Sequence, residues 1–338
     1  MNAVWQKAVW WLVVLSTLGV LLGFGGRWSP VLDAVGYFRL QFAVLAALGG
    51  VLALGMVRWR VKWIGFGAAA LAVAMLGPVW RGVERPPAGG ADTRAVSVMT
   101  ANVLGGGNPS LDLTASVLLA ADADILATLE SPPEWAEAGS LLMRHYPHST
   151  VLPKARNGVV LWSKFPLNLV EIASASRDAP AFATARVDLG GGAGFGVTAV
   201  HLSWPLIADG AQGKQIEVTR SLLSAAAGPK LLMGDFNAPP WSQAMKRVEE
   251  VTRLDMIGGL RRTWVGDYPN PLQLLLARTI HGREIPSVLG HHIDHILPSA
   301  EVGVDQVEVI ALPGSDHRAV WARLRVPLRV AGNLFAGG

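Results

Sequence analysis

The sequence predicts an α/β fold in two parts: an amino-terminal region of three membrane-spanning helices, then a soluble domain built on mixed β-sheets. Two observations support this division. Hydrophobic residues make up 51% of the 338-residue chain, and their excess lies before residue 82. After residue 94, strand-like apolar runs alternate with turns and helix-like segments. Several runs adjoin without a helix between them, which favours mixed sheets over a purely parallel sheet.

The amino-terminal region contains three stretches without a charged residue: 8–26, 40–57 and 63–80. At about 1.5 Å of rise per residue, each can cross or nearly cross a hydrocarbon core about 30 Å thick. A cleaved signal peptide is the alternative for the first stretch. Trp10 and Trp11 interrupt its apolar run, however, and no small-residue cleavage motif follows. We therefore expect three transmembrane helices within residues 1–81.

Basic residues between these stretches predict the orientation of the chain. The short turn after the second stretch carries three of them: Arg58, Arg60 and Lys62. Because Lys and Arg are retained on the cytoplasmic side, this turn is expected inside. An odd number of spans then places everything after residue 80 outside. The expected location is the plasma membrane, or the inner membrane of a bacterium, with the soluble domain on its outer, periplasmic face.

Composition limits the chemistry that the chain can perform. It contains no cysteine, which excludes disulfides, zinc–thiolate sites and cysteine nucleophiles. Any metal must therefore be held by oxygen or imidazole ligands. A formal charge of +4 is compatible with a polyanionic partner such as nucleic acid. Much of the positive charge, however, flanks the apolar stretches, where it serves membrane topology.

The soluble domain is expected over residues 95–327, after a turn-rich linker at 82–94 and before a tail at 328–338. Helical periodicity predicts helices over 111–121 and 215–226. The segments that look extended are 95–103, 125–129, 159–162, 181–187, 195–202, 230–233, 293–297, 307–312 and 319–326.

Three polar motifs stand at the ends of these strands. Gly234-Asp235-Phe236-Asn237 follows one strand, His292-Ile293-Asp294-His295 opens another, and Ser315-Asp316-His317 lies between the last two. Taken singly, each motif is compatible with an ordinary turn, because Gly, Asp, Asn and Ser are common in turns. Their shared position at strand ends, where active sites of α/β folds are assembled, indicates a catalytic site.

Together with Asn102, Glu130 and His201, these motifs resemble the endonuclease/exonuclease/phosphatase superfamily, which includes deoxyribonuclease I-like and exonuclease III-like enzymes. The resemblance covers residues 97 to about 324, and the motifs occur in the same order along the chain as in the family. It implies a four-layer α/β sandwich with two packed mixed sheets and a site at one edge. It also implies hydrolysis of phosphate esters with Mg²⁺ or Mn²⁺.

The resemblance implies a role for each position. Glu130 is the main metal ligand, with Asn102 and Asp316 beside it. Asp235 activates the attacking water, and His201 protonates the leaving group. Asp294 orients His317 for contact with the phosphate. The expected phosphate-binding residues are Asn102, Asn237 and His317, and the expected catalytic residues are His201, Asp235, Asn237, Asp294 and His317.

Other residues give weaker signals. Many family members carry Gln directly before the metal-binding Glu, whereas this chain has Leu129. Lys164 is a weak candidate for a phosphate contact, and Trp264 with its preceding arginines can line a substrate groove or pack at a basic edge. A zinc site is disfavoured, because neighbouring strand residues point to opposite faces. Its three candidate ligands are His291, His292 and His295.

These observations favour a membrane-anchored, Mg²⁺-dependent phosphodiesterase that works by in-line attack of water. A lipid headgroup or a small phosphate ester outside the cytoplasm is the first substrate hypothesis, with the bilayer as a further partner. No obligatory protein partner is implied. The enzymatic alternative is an anchored nuclease acting on DNA or RNA. The alternative from another class is a catalytically silent, membrane-tethered binding domain.

Overall fold

A computed structural model shows the fold of the chain. The residues that it describes are 3–55, 60–74, 85–86, 92–137, 139–151, 158–206, 211–224, 228–259, 261–265, 279–280, 283–284 and 290–328. Most of the predicted linker at 82–94 and of the predicted tail at 328–338 lies outside the described residues.

Four helices form the amino-terminal region: α1 (Ala3–Leu22), α2 (Pro30–Tyr37), α3 (Arg39–Leu52) and α4 (Arg60–Ala74). A 3₁₀ segment, Gly23–Arg27, extends α1. Pro30 occupies the first position of α2, where its fixed φ and missing N–H are tolerated. At Phe38 the chain bends by 58° between α2 and α3. We call this bend at Phe38 the elbow.

The prediction of three membrane spans is only partly confirmed. Within the described residues, one helix is long and apolar enough to cross a membrane, namely α1 with its 3₁₀ extension over 25 residues, Ala3–Arg27. The second stretch becomes α3, which reaches span length only if α2 is counted with it across the elbow. The third stretch becomes α4, and its predicted end at residues 75–80 lies outside the described residues.

The soluble domain contains the predicted strands and several others. Its strands are β1 (Thr93–Asn102), β2 (Ile125–Ser131), β3 (His148–Ser149), β4 (Gly158–Ser163), β5 (Leu167–Ala173), β6 (Ala181–Gly190), β7 (Ala193–His201), β8 (Lys230–Asp235), β9 (Thr279–Ile280), β10 (Arg283–Glu284), β11 (Asp294–Pro298), β12 (Gly303–Ala311) and β13 (Arg318–Pro327). Its helices are α5 (Leu111–Ala120), α6 (Leu141–His145), α7 (Ala211–Ser224) and α8 (Gln243–Thr252).

Two mixed sheets organise these strands, as predicted. The six-stranded sheet has the order β12-β13-β1-β2-β4-β3, and the five-stranded sheet has the order β11-β8-β7-β6-β5. Each sheet contains one parallel pair, β1 with β2 in the first and β7 with β8 in the second. Their other pairs are antiparallel. The short strands β9 and β10 pair separately.

The two sheets pack face to face, and helices cover their outer faces. Val98 and Leu129 from the first sheet share one buried cluster with Val197 and Met233 from the second. Helices α5 and α6 pack on the outside of the first sheet, and α7 and α8 on the outside of the second. The predicted four-layer sandwich is therefore confirmed, and removal of these apolar faces from water is its main source of stability.

Candidate active site

The topology brings the predicted site residues to one edge of the sandwich. Asn102 ends β1, His201 ends β7 and Asp235 ends β8. Strands β11 and β13 run antiparallel to their neighbours, so their first residues lie at the same edge. Asp294, the first residue of β11, is the register partner of Asp235. Polar side chains that are far apart in sequence therefore converge.

Backbone geometry at this edge explains the Gly-Asp-Phe-Asn motif. Gly234 has φ of +143°, and a Cβ atom there would lie 1.9 Å from the carbonyl oxygen of Val200 on the neighbouring strand. Only glycine fits so close to β7, and the close approach of the two strands places Asp235 beside His201. Asn237 and Glu130 adopt φ of +48° and +52°. Such left-handed conformations are uncommon outside glycine, and strained ones cluster at functional sites.

The Oδ2 atom of Asp235 lies at the centre of the cluster. The amide nitrogen of Asn102 donates to it at 3.1 Å and also to Oε1 of Glu130 at 3.1 Å. The Nε2 atoms of His201 and His317 lie 3.6 Å and 3.7 Å from the same oxygen. One carboxylate thus faces two imidazoles and an amide, with Glu130 beside them.

The surroundings of Asp235 bring its pKa towards neutrality. Burial is the largest cause, and the nearby Asp294 carboxylate adds to it. His317 and His201 act in the opposite direction, and the result is a pKa of about 6. A carboxylate with such a pKa can accept a proton from water more readily than an ordinary aspartate.

His317 and Asp294 form a buried pair. Nδ1 of His317 lies 2.9 Å from Oδ2 of Asp294, within hydrogen-bonding distance. Burial of His317 by itself opposes its protonation. The carboxylates of Asp294 and Asp235 outweigh that effect and raise the pKa of His317 to about 10. His317 is therefore a cation at neutral pH, and its Nε2 lies 3.7 Å from Oδ2 of Asp235.

Asn237 is held by its neighbours beside Asp235. Its backbone N–H donates to Oδ1 of Asp235 at 2.8 Å, and its side-chain amide donates to the carbonyl of Leu202 at 2.8 Å. His201 remains partly exposed and lies 4.0 Å from Glu130 through its Nε2. The structure therefore brings all eight predicted site residues together: Asn102, Glu130, His201, Asp235, Asn237, Asp294, Asp316 and His317.

The donor set fits a hard divalent cation. Asp316 Oδ1 is buried without a hydrogen-bond partner among the described residues, and Glu130 offers a partly exposed carboxylate. Oxygen ligands of this kind suit Mg²⁺ or Mn²⁺. Asn102, as placed, faces Glu130 with its amide nitrogen, because its oxygen accepts the N–H of Leu104. Its amide group already donates to the carboxylates of Glu130 and Asp235, so its roles in phosphate binding and in metal binding both stay predictions.

A second group of possible ligands consists of Asp235, Asp294 and His317, which offer atoms within 4.8 Å of one another. In the metal-free protein the two neighbouring carboxylates favour the protonated form of His317. A bound cation would compete with that proton, so this group is a second candidate site for a divalent ion.

The segment around Trp264 contributes contacts that sequence reasoning did not assign. The indole N–H of Trp264 donates to Oδ2 of Asp316 at 2.9 Å. The hydroxyl of Thr263 accepts the N–H groups of Ile293 and Asp294, both at 3.0 Å. The sequence indicates Trp264 only as a possible groove residue, and nothing in the sequence around Thr263 indicates its contacts.

The remaining candidates lie outside this cluster. Lys164 pairs with Asp122 at 2.8 Å, next to the start of β2 and therefore at the opposite end of that strand from Glu130. It is not a phosphate contact in this arrangement. His295 donates its Nε2–H to the carbonyl of Ala238 at 2.8 Å, and burial lowers its pKa to about 4. Its ring lies 4.5 Å from that of His292.

Comparison with known proteins identifies a family that matches this chain. The sequence profile of the Endonuclease/Exonuclease/phosphatase family matches residues 99–317. No curated protein sequence matches the chain.

Solved structures share the fold at low identity. An endonuclease/exonuclease/phosphatase from Beutenbergia cavernae is 22% identical with a TM-score of 0.52, over 69% of this chain and 72% of its own. A family protein from Bacteroides vulgatus is 17% identical with a TM-score of 0.53, over 69% and 99%. One from Bacteroides thetaiotaomicron is 16% identical with a TM-score of 0.50, over 70% and 97%.

Proposed function

Because the chain belongs to the Endonuclease/Exonuclease/phosphatase family and is thus a metal-dependent phosphoester hydrolase, we propose that it is a membrane-anchored, Mg²⁺-dependent phosphodiesterase. One observation carries the proposal. Asp235, with its pKa near 6, faces the cationic His317 at the sandwich edge, and the Glu130 carboxylate lies in the same cluster. A base for water, a positive charge for phosphate and an oxygen ligand for metal are therefore adjacent.

The proposed reaction is a single in-line displacement at phosphorus. Asp235 orients a water molecule and accepts its proton as the new P–O bond forms. Opposite that bond, the ester P–O bond breaks, and His201 donates a proton to the departing oxygen. The imidazolium of His317 and the amides of Asn102 and Asn237 hold the phosphoryl oxygens. Each proton transfer of this kind contributes roughly 10²–10⁴-fold to the rate.

Asp294 keeps His317 charged and oriented, which matters because the phosphate approaches with negative charge. Glu130 and Asp316 are the proposed metal ligands, with Asn102 as a third. When bound, Mg²⁺ or Mn²⁺ would neutralise negative charge on the phosphate and its leaving oxygen.

Membrane anchoring is the second part of the proposal. Most of the large exposed apolar side chains of the described residues lie on α1, α3 and α4 rather than on the soluble domain. Their apolar surfaces are explained if lipid covers them. A phosphate ester at or outside the membrane surface is then the favoured substrate, with a lipid headgroup as the first candidate.

The test is hydrolysis by the full chain in detergent, with and without Mg²⁺. Phosphodiester lipids, phosphomonoesters and plasmid DNA serve as substrates. Asp235→Asn keeps the shape of the side chain and removes the base, and Glu130→Gln removes a ligand charge. We expect each to reduce turnover at least about 10²-fold. Asp305→Asn, in an exposed ion pair with Arg325, is the matched control and should leave turnover unchanged.

The outcomes separate the alternatives. Turnover of lipid or small diesters that both variants abolish supports the proposal. Cleavage of DNA alone favours the anchored nuclease. Full activity in both variants contradicts the proposed site. Absence of metal-dependent turnover contradicts the proposed function and favours the silent binding domain.

A further inference from the structure

The amino-terminal helices are docked on the soluble domain by a buried carboxylate. Asp33 in α2 accepts the backbone N–H of Gln243 at 2.8 Å and that of Ala244 at 3.1 Å. These are the first two residues of α8, whose amino-terminal N–H groups have no partner within the helix. Gly26 permits this approach, because a Cβ atom there would lie 2.7 Å from Oδ1 of Asp33. A residue near the predicted membrane span thus caps a helix of the catalytic domain.

Two further contacts fix α2 next to the catalytic motif. The indole N–H of Trp241 donates to the carbonyl of Gly36 at 2.9 Å. Tyr37 is buried in the same apolar cluster as Phe236, which stands between Asp235 and Asn237. The elbow is therefore held at a defined place beside the site rather than joined to it by a flexible tether.

Aromatic side chains connect the elbow with the active site. The ring of Phe38 meets His291 edge-on at 4.9 Å, and His291 stacks on Trp264 at 5.7 Å. Trp264 donates to Asp316, and Trp204 packs against it with ring centroids 6.1 Å apart. Burial lowers the pKa of His291 to about 4, so this imidazole is neutral and packs between the rings of Phe38 and Trp264.

These aromatic side chains extend to the proposed catalytic residue Asn237. Tyr37, Phe38, Trp204, Trp264 and His291 line a small cavity together with Asn237 and Ile293. Phe38 and Trp204 remain 45% and 41% exposed, although large apolar side chains are usually buried. We call Phe38, Trp204, Trp264 and His291 the aromatic wall.

We propose that the aromatic wall holds the apolar part of a lipid phosphate ester while its phosphate lies at Asn237 and His317. Phe38 and Trp204 are then specificity-determining residues, and Asp33 is the positioning residue that holds Phe38 in place. The inference rests on the proposed function and deepens it, because it names the substrate class and makes the membrane region part of the site.

The position of the wall favours a lipid as its occupant. The wall begins at the elbow, which joins α2 to α3, and α3 exposes Val44, Leu48 and Val51. At the end of the candidate span, the guanidinium of Arg27 lies over the ring of Trp28 at 4.1 Å. Trp and Arg are typical of the headgroup region. With α1 and α3 in lipid, the wall lies level with the headgroups and in continuity with the acyl region.

The experiment compares two substrates with the same headgroup. One is a dioleoyl glycerophospholipid in mixed micelles, and the other is its deacylated, water-soluble glycerophosphodiester. Kinetics are measured with the full chain for Phe38→Ala and Trp204→Ala. The matched control is Trp63→Ala, a still more exposed aromatic residue on α4 that lies outside the wall. Phe38→Leu, which keeps an apolar side chain, tests for partial rescue.

We expect Phe38→Ala and Trp204→Ala to raise KM for the acylated substrate roughly three- to tenfold, with kcat nearly unchanged. Parameters for the deacylated ester should stay within about twofold, and Trp63→Ala should affect neither substrate. Equal losses on both substrates, or no loss on the lipid, would overturn the inference. Hydrolysis only of esters without acyl chains would also overturn it but leave the proposed function intact. Without turnover of any phosphate ester, the proposed function fails and the inference with it.

Discussion

At the scale of single residues, the site depends on two groups whose charges are set by each other. Asp235 is buried close to Asp294, so it resists ionisation, whereas His317 lies between these carboxylates and resists deprotonation. Removal of one of these charged groups should therefore change the pKa of the other. At His291 and His295 the effect of burial dominates and lowers the pKa to about 4, so both imidazoles remain neutral. Histidines at this edge of the sandwich thus fall into two classes, one cationic and one neutral.

Asp294→Asn should lower the pKa of His317 well below 10 in the metal-free protein. The folded-state pKa of about 10 exceeds the unfolded value of about 6.5, so His317 stabilises the fold fully below pH 6.5. That contribution is lost as the pH rises through 10. NMR titration of ¹⁵N-labelled histidines measures the pKa directly. Denaturant unfolding between pH 6 and 10 should show a flatter pH dependence in the variant.

The controls for this prediction lie in the same chain. His291 should keep a pKa near 4 in both proteins, because burial alone lowers it. Asp305→Asn removes an exposed carboxylate and should leave His317 unchanged. An unaltered His317 titration in Asp294→Asn would contradict the assigned pairing.

At the scale of elements, α8 is stabilised by residues from two distant parts of the chain. Ser242 accepts the N–H of Met245 at 3.1 Å, and Asp33 accepts the two N–H groups before it. The negative carboxylate also interacts favourably with the helix dipole. Because α8 follows the Asp235–Asn237 motif directly, this cap links the amino-terminal helices to the catalytic edge.

Asp33→Ala should lower the free energy of unfolding by about 2 kcal/mol, the upper range for loss of a helix cap. The buried N–H groups of Gln243 and Ala244 would lose their acceptor. Thermal or denaturant unfolding of the full chain in detergent measures the change. Asp112→Ala is the matched control, since Asp112 lies exposed in the first turn of α5, and its effect should stay within about 0.5 kcal/mol. Equal stability of the two variants would contradict the proposed cap.

Contacts between residues far apart in sequence are the part of the structure that the sequence does not predict. Strands such as β7 and β8 were predictable because continuous apolar runs identify buried strands. The site was predictable because its motifs stand at strand ends. β5 was missed because its side chains are mostly exposed, so no alternation with a buried face appears. The contact of Asp33 with α8 joins residues far apart in sequence, and no local pattern reports it.

At the scale of the whole molecule, docking of α2 restricts the membrane topology. Asp33 and Gly36 contact the soluble domain, so residues 30–37 and that domain lie on the same side of any bilayer. The chain between them must then cross an even number of times. Either α3 and α4 both cross, which gives three spans with α1, or neither crosses, which gives one. A total of two spans is incompatible with this contact.

Cysteine labelling can decide between one span and three, since the chain has no cysteine of its own. We expect Ser29→Cys, before α2, and Ser116→Cys, exposed on α5, to react with an impermeant maleimide in intact cells. If α3 and α4 cross, Arg60→Cys should react only after permeabilisation, because the basic turn then lies inside. Labelling of all three in intact cells would leave α1 as the single span. Labelling of Ser29→Cys and Ser116→Cys on opposite sides would contradict the docked arrangement, and with it the aromatic wall at the headgroup level.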